Sequence, residues 1–347
     1  MKGFIKISKY AGMREDLVQA GGGNSSFKEE ADRMFIKASG YQLADVSEKS
    51  GYAIVNPQII RSAFMAGGDA ITEADSKQIL KDALISGERP SIETFLHSVG
   101  GSYVLHTHPM VVNVLTCRAD GMQELKKLFP EALIVPYATP GVELAKAFFA
   151  VYTQNQDNVI NKESGKFIVF LQNHGLVVSG NTAEEVISET ERIVTTLEKT
   201  LNVDMQAYHD LSIIWENFFI DKILWKVTDE NISRVFKNYG TWPHSFCPDC
   251  VVYLGKKFLR LGEPIQAQEQ AIATFIEENG EPVIIDYNKK LYIVASSIKK
   301  ALEIQSVLSF SAQVMELNEE RECVLLSDQE QNFLLGWDAE KYRRNLK

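Results

Sequence analysis

The segment that most constrains the fold is Phe167-Ile168-Val169-Phe170-Leu171, five consecutive apolar residues. A half-exposed strand alternates apolar and polar side chains, so an unbroken apolar run of this length is typical of a strand covered on both faces. Such a strand has to lie inside a sheet that has other layers packed above and below it. The run therefore predicts an interior strand of an α/β or α+β protein.

Short strand-like and helical segments alternate on either side of this run. The other predicted strands are 34–37, 102–108 and 177–178. The predicted helices are 8–20, 73–86 and 183–201, and two more begin at 90–93 and at Pro109. Ser8 is the expected N-cap of the first helix, which ends at Gly21-Gly22-Gly23. The alternation predicts helices that cover a sheet.

The pattern of elements changes after about Trp242. The predicted strands of this region are 251–254, 282–285 and 291–294, and the predicted helices are 267–278 and 298–317. These elements are enough for a second, smaller α/β unit. We therefore expect two domains, 1–240 and 241–347, the second being a C-terminal α/β extension without an assigned role.

Composition and charge exclude several classes of protein. The chain has 347 residues, of which 45% are hydrophobic and 24% charged, as in an ordinary globular protein. Its 36 basic and 46 acidic residues give a net charge of −10, which argues against wrapping nucleic acid or lying on an anionic membrane. The sequence has no apolar run of membrane-spanning length, no signal-peptide core, and too few cysteines for a disulfide framework. The expected location is the cytoplasm.

Two of the six histidines lie in His106-Thr107-His108, within a predicted strand. Residues two apart on a strand point to the same face, so the two imidazoles lie side by side. A third histidine, His174, follows the buried strand in Asn173-His174-Gly175. Three histidines with one open position are a common zinc environment. The alternative is that these are separate core or surface histidines.

Glu93 precedes the histidine pair by one short predicted helix and a turn. A carboxylate beside a metal serves either as a ligand or as a general base, and as a base it works best with a pKa raised towards neutrality. The alternative is a solvated glutamate that is favoured by the helix N-terminus. His97 lies one helical turn later and either orients Glu93 or is a core histidine.

The segment 21–26 is a candidate anion site. Three glycines expose backbone N–H groups, and Asn24, Ser25 and Ser26 add side-chain donors. Ser39-Gly40 and Ser91 offer further donors of the same kind. The alternative is a turn that only caps a helix. Lys28 and Lys37 either add local positive charge or are surface residues.

Five blocks of sequence occur in the order of a known family. They are Gly22-Gly23-Asn24-Ser25-Ser26, Lys37-Ala38-Ser39-Gly40, Pro90-Ser91-Ile92-Glu93, His106-Thr107-His108-Pro109 and Asn173-His174-Gly175-Leu176. Over residues 8 to 200 the chain resembles the class II aldolase/adducin family, which includes metal-dependent fuculose- and rhamnulose-phosphate aldolases and ribulose-phosphate 4-epimerases. The resemblance implies a three-layer α/β/α domain with a mainly antiparallel central sheet.

The resemblance also implies roles for particular residues. A zinc ion, or another divalent metal, would be held by His106, His108 and His174, and Glu93 would be the catalytic acid/base. The substrate phosphate would be bound by Gly23, Asn24, Ser39, Gly40 and Ser91. Ile92 stands where many members of the family have a second serine.

The implied activity is retro-aldol cleavage of a phosphorylated ketose of the fuculose- or rhamnulose-phosphate type, a carbon–carbon lyase reaction. A 4-epimerase, a dehydratase, a decarboxylase or a non-catalytic adducin-like module remains an alternative. The resemblance also implies a homo-oligomer, with a tetramer expected.

The C-terminal region carries a second, weaker resemblance. Pro248-Asp249 followed by Val251-Val252-Tyr253 resembles the extension in the aldolase half of bifunctional rhamnulose-phosphate aldolase/dehydrogenase proteins. His244, Cys247 and Cys250 lie at a spacing that fits half of a structural zinc site. The alternative is that they bind no metal.

Overall fold

The computed structural model describes residues 1–155, 165–240, 242–318 and 321–336. The chain divides into two compact units, Met1–Met205 and Gln206–Lys347. The sequence places the boundary at 240/241, which is 35 residues later. The difference arises because the strand Ile223–Lys226 pairs with Lys290–Ala295 in the sheet of the second unit. Residues 206–240 therefore belong to the second unit.

Within the described residues, the first unit has an eight-stranded sheet. Its strands are β1 (Asn24–Glu30), β2 (Arg33–Lys37), β3 (Tyr52–Val55), β4 (Leu84–Gly87), β5 (Tyr103–Thr107), β6 (Leu133–Val135), β7 (Phe167–Leu171) and β8 (Gly175–Gly180). Their order is β4-β3-β2-β1-β5-β8-β7-β6. Neighbouring strands are antiparallel except for β6 and β7, which are parallel. The mainly antiparallel sheet is confirmed.

Helices cover both faces of this sheet. They are α1 (Lys2–Gly12), α2 (Pro57–Gly67), α3 (Glu73–Ala83), α4 (Thr94–His97), α5 (Met110–Thr116), α6 (Gly121–Leu128), α7 (Val142–Gln154) and α8 (Ala183–Leu201). On β2, Ile36 packs in one core cluster with Phe64 of α2 and Phe148 of α7. Phe35, the next residue, faces the other way and packs with Phe4 of α1. Alternate side chains of the strand thus pack into two cores, one on each face of the sheet. The unit is therefore a three-layer α/β/α structure.

The interior strand is confirmed, because every residue of β7 is buried. The prediction for the first helix was wrong: α1 spans Lys2–Gly12 instead of 8–20. Its buried residues Phe4, Ile7 and Ala11 recur every three or four positions, which is the helical repeat. Ser8 lies inside the helix and its hydroxyl donates to the carbonyl of Phe4, so it is not an N-cap.

The second unit has a sheet of its own among the described residues. Its strands are β9 (Ile223–Lys226), β10 (Leu259–Arg260), β11 (Ile284–Tyr287) and β12 (Lys290–Ala295), in the order β10-β11-β12-β9. Its helices are α9 (Gln206–Phe218), α10 (Glu230–Tyr239), α11 (Pro248–Leu254), α12 (Glu269–Asn279), α13 (Ile298–Leu317) and α14 (Asp328–Gly336). No helix in the described ranges is both long and apolar enough to cross a membrane.

The predicted strand 251–254 was wrong, because these residues belong to α11. Pro248 lies in the first turn of that helix, where its missing N–H costs nothing. Val251 and Leu254, three residues apart, are both buried, as on one face of a helix. The strands predicted near 284 and 291 and the helix 298–317 are confirmed.

Candidate metal centre and active site

The three predicted histidines converge in the first unit. Nε2 of His106 lies 3.0 Å from Nε2 of His108 and 3.3 Å from Nε2 of His174. Their ligand atoms all lie within 4.8 Å of one another. In the part of the chain that the structure describes, this is the one cluster of three or more potential metal ligands of the His, Cys, Asp and Glu types.

Strand pairing brings His174 to the other two histidines. Strand β8 pairs antiparallel with β5, so that Leu176 lies opposite Thr107. The turn between β7 and β8 contains Asn173 at φ 54°, a left-handed conformation that asparagine tolerates better than most residues. His174 is the last residue of this turn and therefore stands at the end of β5 that carries His106 and is followed directly by His108.

Two glycines permit the close approach of the chain segments around the histidines. A Cβ atom at Gly175 would lie 2.3 Å from the carbonyl oxygen of Thr107. A Cβ atom at Gly23 would lie 2.8 Å from the carbonyl oxygen of His106, and Gly23 also has φ +69°. Any larger residue at either position would push the neighbouring segment away from β5.

The fold also sets the tautomer of His106. Its Nδ1 lies 2.9 Å from the carbonyl oxygen of Leu176, which only accepts hydrogen bonds. Nδ1 therefore carries the proton, and Nε2 presents a lone pair to the other two histidines. This is the protonation state that a metal ligand needs.

The spacing of the imidazole nitrogens fits a divalent ion. Tetrahedral zinc with Zn–N distances of ~2.0–2.1 Å holds two ligand nitrogens about 3.3 Å apart. The observed separations of 3.0 Å and 3.3 Å are close to that value. The donor set and these two separations therefore suit a divalent metal ion.

Glu93 lies beside the histidine nitrogens. Its Oε1 atom is 3.1 Å from Nε2 of His174, and its Oε2 atom is 3.7 Å from Nε2 of His106. Two neighbours hold the residue in place. The side-chain amide of Asn24 donates to Oε2 across 2.5 Å, and the backbone N–H of Glu93 donates to the hydroxyl of Ser91 across 3.3 Å.

The pKa shifts favour an ionised Glu93 and lower the pKa values of His106 and His108. Burial raises the pKa of Glu93, but the neighbouring histidines lower it by more, and the net pKa lies well below its usual range. Burial lowers the pKa of His106 and lowers that of His108 to about 3. The raised pKa expected from the sequence is therefore not found, because the imidazoles outweigh the desolvation of the carboxylate.

His97 is a core histidine. It is fully buried, and its Nδ1 atom lies 2.8 Å from the hydroxyl of Ser26. Burial lowers its pKa well below the usual value, so the ring is neutral. The side-chain hydrogen bond that orients Glu93 comes from Asn24 and not from His97.

The five candidate phosphate-binding residues lie on three segments that are linked to one another. Gly23 and Asn24 stand at the start of β1, Ser39 and Gly40 follow β2, and Ser91 precedes α4. An isolated antiparallel bridge between Ala38 and Pro90 brings the second and third segments together. Asn24 and Ser91 both contact Glu93: the amide of Asn24 donates to its carboxylate, whereas the hydroxyl oxygen of Ser91 accepts from its backbone N–H. The backbone N–H of Ser39 also donates to the carbonyl of Arg89.

Lys37 is not a surface residue, which was one of the two alternatives that the sequence left open. The side chain is only 3% exposed, and Nζ donates to the carbonyl of Gly21 across 3.2 Å. Burial lowers its pKa more than the carboxylates of Glu93 and Asp45 raise it. The available signal was its position at the end of the apolar strand Met34-Phe35-Ile36. Lys28 is also not a free surface residue, since it donates to two backbone carbonyls.

The predicted zinc half-site of the second unit consists of His244, Cys247 and Cys250, and these residues do not form a cluster of three metal ligands. Nε2 of His244 donates to the carbonyl of Gly255 across 2.7 Å, and the ring stacks on Phe258. The sulfurs of Cys247 and Cys250 lie 3.1 Å apart. Among the described residues these three groups form no cluster of metal ligands.

Comparison with known proteins relates the first unit to a family. The chain is 28% identical over 211 residues to a protein of Bacillus subtilis (strain 168) named uncharacterized oxidoreductase YuxG, and the match covers 56% of this chain but only 28% of that relative. The N-terminal class II aldolase domain of a conserved protein from Thermoplasma acidophilum is 26% identical, with a TM-score of 0.49, over 57% of this chain and 92% of that one.

L-fuculose-1-phosphate aldolase from Thermus thermophilus is 19% identical, with a TM-score of 0.36, over 62% of this chain and 96% of that one. The family described as Class II Aldolase and Adducin N-terminal domain matches residues 3–201, more than half of the chain. The protein therefore belongs to the class II aldolase and adducin family.

Proposed function

We propose that this protein is a zinc-dependent class II aldolase that cleaves a phosphorylated ketose by a retro-aldol reaction. The observation that carries the proposal is the convergence of three Nε2 atoms with the Glu93 carboxylate, whose Oε1 atom lies 3.1 Å from His174. A module with a purely structural role has no need for three inward-facing imidazoles and a carboxylate at one point. A metal-dependent enzyme that cleaves a carbon–carbon bond next to a carbonyl uses both, the imidazoles to hold the metal and the carboxylate to move a proton.

The metal would be held by His106, His108 and His174. Imidazole nitrogens suit zinc well, although another divalent transition metal is an alternative. When bound, such an ion supplies Lewis-acid chemistry by drawing electron density from the carbonyl oxygen of the ketose. Leu176 contributes indirectly, because its carbonyl keeps the proton of His106 on Nδ1.

Glu93 would move the proton. As an ionised carboxylate it accepts the proton of the hydroxyl group on the carbon that leaves as the aldehyde. The O–H electrons form the new C=O bond, and the electrons of the broken C–C bond pass to the carbonyl half of the sugar. Glu93 then returns the proton to the carbon of that half. The Asn24 amide holds the carboxylate in position for both transfers.

The phosphate would bind where the three linked segments meet. Gly23, Ser39, Gly40 and Ser91 offer N–H and O–H donors, and the buried Lys37 brings a cation to the same segments. Binding energy from a phosphate remote from the reacting bond orients the sugar without taking part in the chemistry. This arrangement supports a sugar phosphate over a neutral sugar.

The test is to incubate the zinc-loaded protein with several ketose phosphates and to measure the products. We expect one of fuculose 1-phosphate, rhamnulose 1-phosphate and ribulose 5-phosphate to be cleaved, with release of dihydroxyacetone phosphate or a glycolaldehyde-type product. Interconversion of epimers without release would instead identify a 4-epimerase. Complete inertness of the metal-loaded protein towards all of them would contradict the proposal and favour a non-catalytic adducin-like module.

A further inference from the structure

Two cysteines of the second unit are in contact. Cys247 and Cys250 are separated by Pro248 and Asp249, and their sulfur atoms lie 3.1 Å apart. Cys247 is the N-cap of α11, and Cys250 is the third residue of that helix. Residues three apart at the start of a helix share one face, so the contact follows from the local backbone.

The two thiols differ in their surroundings. Cys250 is fully buried, and the Ser311 hydroxyl of α13 hydrogen-bonds its thiol. Burial raises the pKa of Cys250 well above its usual value. Cys247 is half-buried and is followed by Pro248 and by the exposed Asp249. Cys247 is therefore the more accessible of the two cysteines.

We propose that Cys247 and Cys250 form a reversible intrachain disulfide, and that this pair exchanges with low-molecular-weight disulfides such as glutathione disulfide. A disulfide has an S–S distance of about 2.05 Å, so the sulfurs have to move only about 1 Å closer.

The exchange has two balanced steps. The thiolate of Cys247 attacks one sulfur of the small disulfide, which forms a mixed disulfide and releases one small thiolate. Cys250 then loses its proton and attacks the sulfur of Cys247, which releases the second small thiolate. Two protein thiols are oxidised to one disulfide, and the small disulfide is reduced to two thiols. The difference in accessibility assigns the attacking role to Cys247 and the resolving role to Cys250.

The test uses the full chain in buffers of defined ratios of reduced to oxidised glutathione. After equilibration, free thiols are alkylated and the protein is examined by intact mass and by peptide mapping. We expect the loss of two hydrogen masses, with Cys247 and Cys250 protected from alkylation and joined in one peptide, while Cys117 and Cys323 are still alkylated. Dithiothreitol should restore alkylation of both cysteines.

Variants identify the order of the two steps. C250S lacks the thiol that carries out the second step, so Cys247 should accumulate as the mixed disulfide with glutathione. The matched control C117S, which removes an exposed cysteine of the first unit, should form the internal disulfide as the unaltered chain does. The proposal is overturned if both cysteines remain alkylatable at the most oxidising glutathione ratio. It is also overturned if the pair retains zinc in protein whose histidine site has been removed by H106A.

Discussion

The side-chain amide of Asn24 donates a hydrogen bond to the carboxylate of Glu93 across 2.5 Å. Asn24 pairs with His106 across β1 and β5, so the same residue lies next to the predicted base and next to a predicted metal ligand. The geometry gives Asn24 a role in positioning Glu93, in addition to the phosphate-binding role implied by the family resemblance. The two roles lead to different kinetic effects.

Replacement of Asn24 separates these roles. N24A removes a hydrogen bond to a charged group, worth about 1.5–3 kcal/mol, so we expect kcat to fall roughly 10–100-fold. If positioning of Glu93 is the main role, KM for the ketose phosphate should change little. A rise in KM with nearly unchanged kcat would show instead that Asn24 acts mainly on the phosphate. Steady-state kinetics on the cleaved substrate provide the measurement.

The histidine cluster predicts metal content. Purified protein should carry about one divalent ion per chain, and H106A should lose most of it, because two imidazoles hold a metal far less tightly than three. Elemental analysis by mass spectrometry of the purified protein measures both. H209A, which alters a histidine of the second unit, is the matched control and should keep the metal. Retention of a full complement by H106A would exclude these histidines as the site.

Replacement of Glu93 tests the base. E93Q keeps the size of the side chain and removes its charge, so the metal should remain while turnover falls by ~10²–10⁴-fold. Metal analysis and the rate of product release are measured on the same preparation. E143Q, at an exposed glutamate of α7, serves as control and should turn over normally. A normal rate in E93Q would show that Glu93 is not the base.

Lys28 predicts a pH dependence of stability. Burial and the nearby Arg61 lower its pKa to about 7, whereas a lysine of the unfolded chain titrates near 10.4. Between these values the unfolded state binds one more proton than the folded state, so this residue makes the free energy of unfolding rise with pH. K28M removes the titration.

The thermal midpoint of the unaltered protein should therefore rise relative to that of K28M as the pH is raised from about 6.5 to about 9.5. K81M, at an exposed lysine of α3, is the control and should show the same difference at both pH values. An unchanged difference for K28M would mean that Lys28 titrates normally in the folded protein.

Assembly is the last prediction. The exposed large apolar side chains of the first unit include Ile92, Met110 and Val114, and Tyr137 is 61% exposed. Exposed apolar groups of this kind favour a protein–protein interface. We expect a homo-oligomer, with light scattering at low concentration giving four times the chain mass of 39.0 kDa. Met110 and Val114 lie one turn apart on α5, so M110E/V114E should lower the measured mass. A stable monomer that still cleaved the substrate would contradict this expectation.

Local patterns in the sequence determined much of the first unit. The unbroken run Phe167–Leu171 requires a strand covered on both faces, and the structure has it. The alternation within a strand places His106 and His108 on one face, because the pleat has a period of two residues. Both features depend only on neighbours along the chain, which is why they were predictable.

Tertiary structure decided what depends on distant residues. A four-residue apolar run such as 251–254 fits a strand or a helix, and packing made it part of α11. Lys37 is buried and Asn24 contacts Glu93, 69 residues away, because segments far apart in the chain meet at the end of β1. His174 reaches His106 across 68 residues because β8 pairs with β5. Strand pairing is a long-range property, and local sequence does not encode which strands become neighbours.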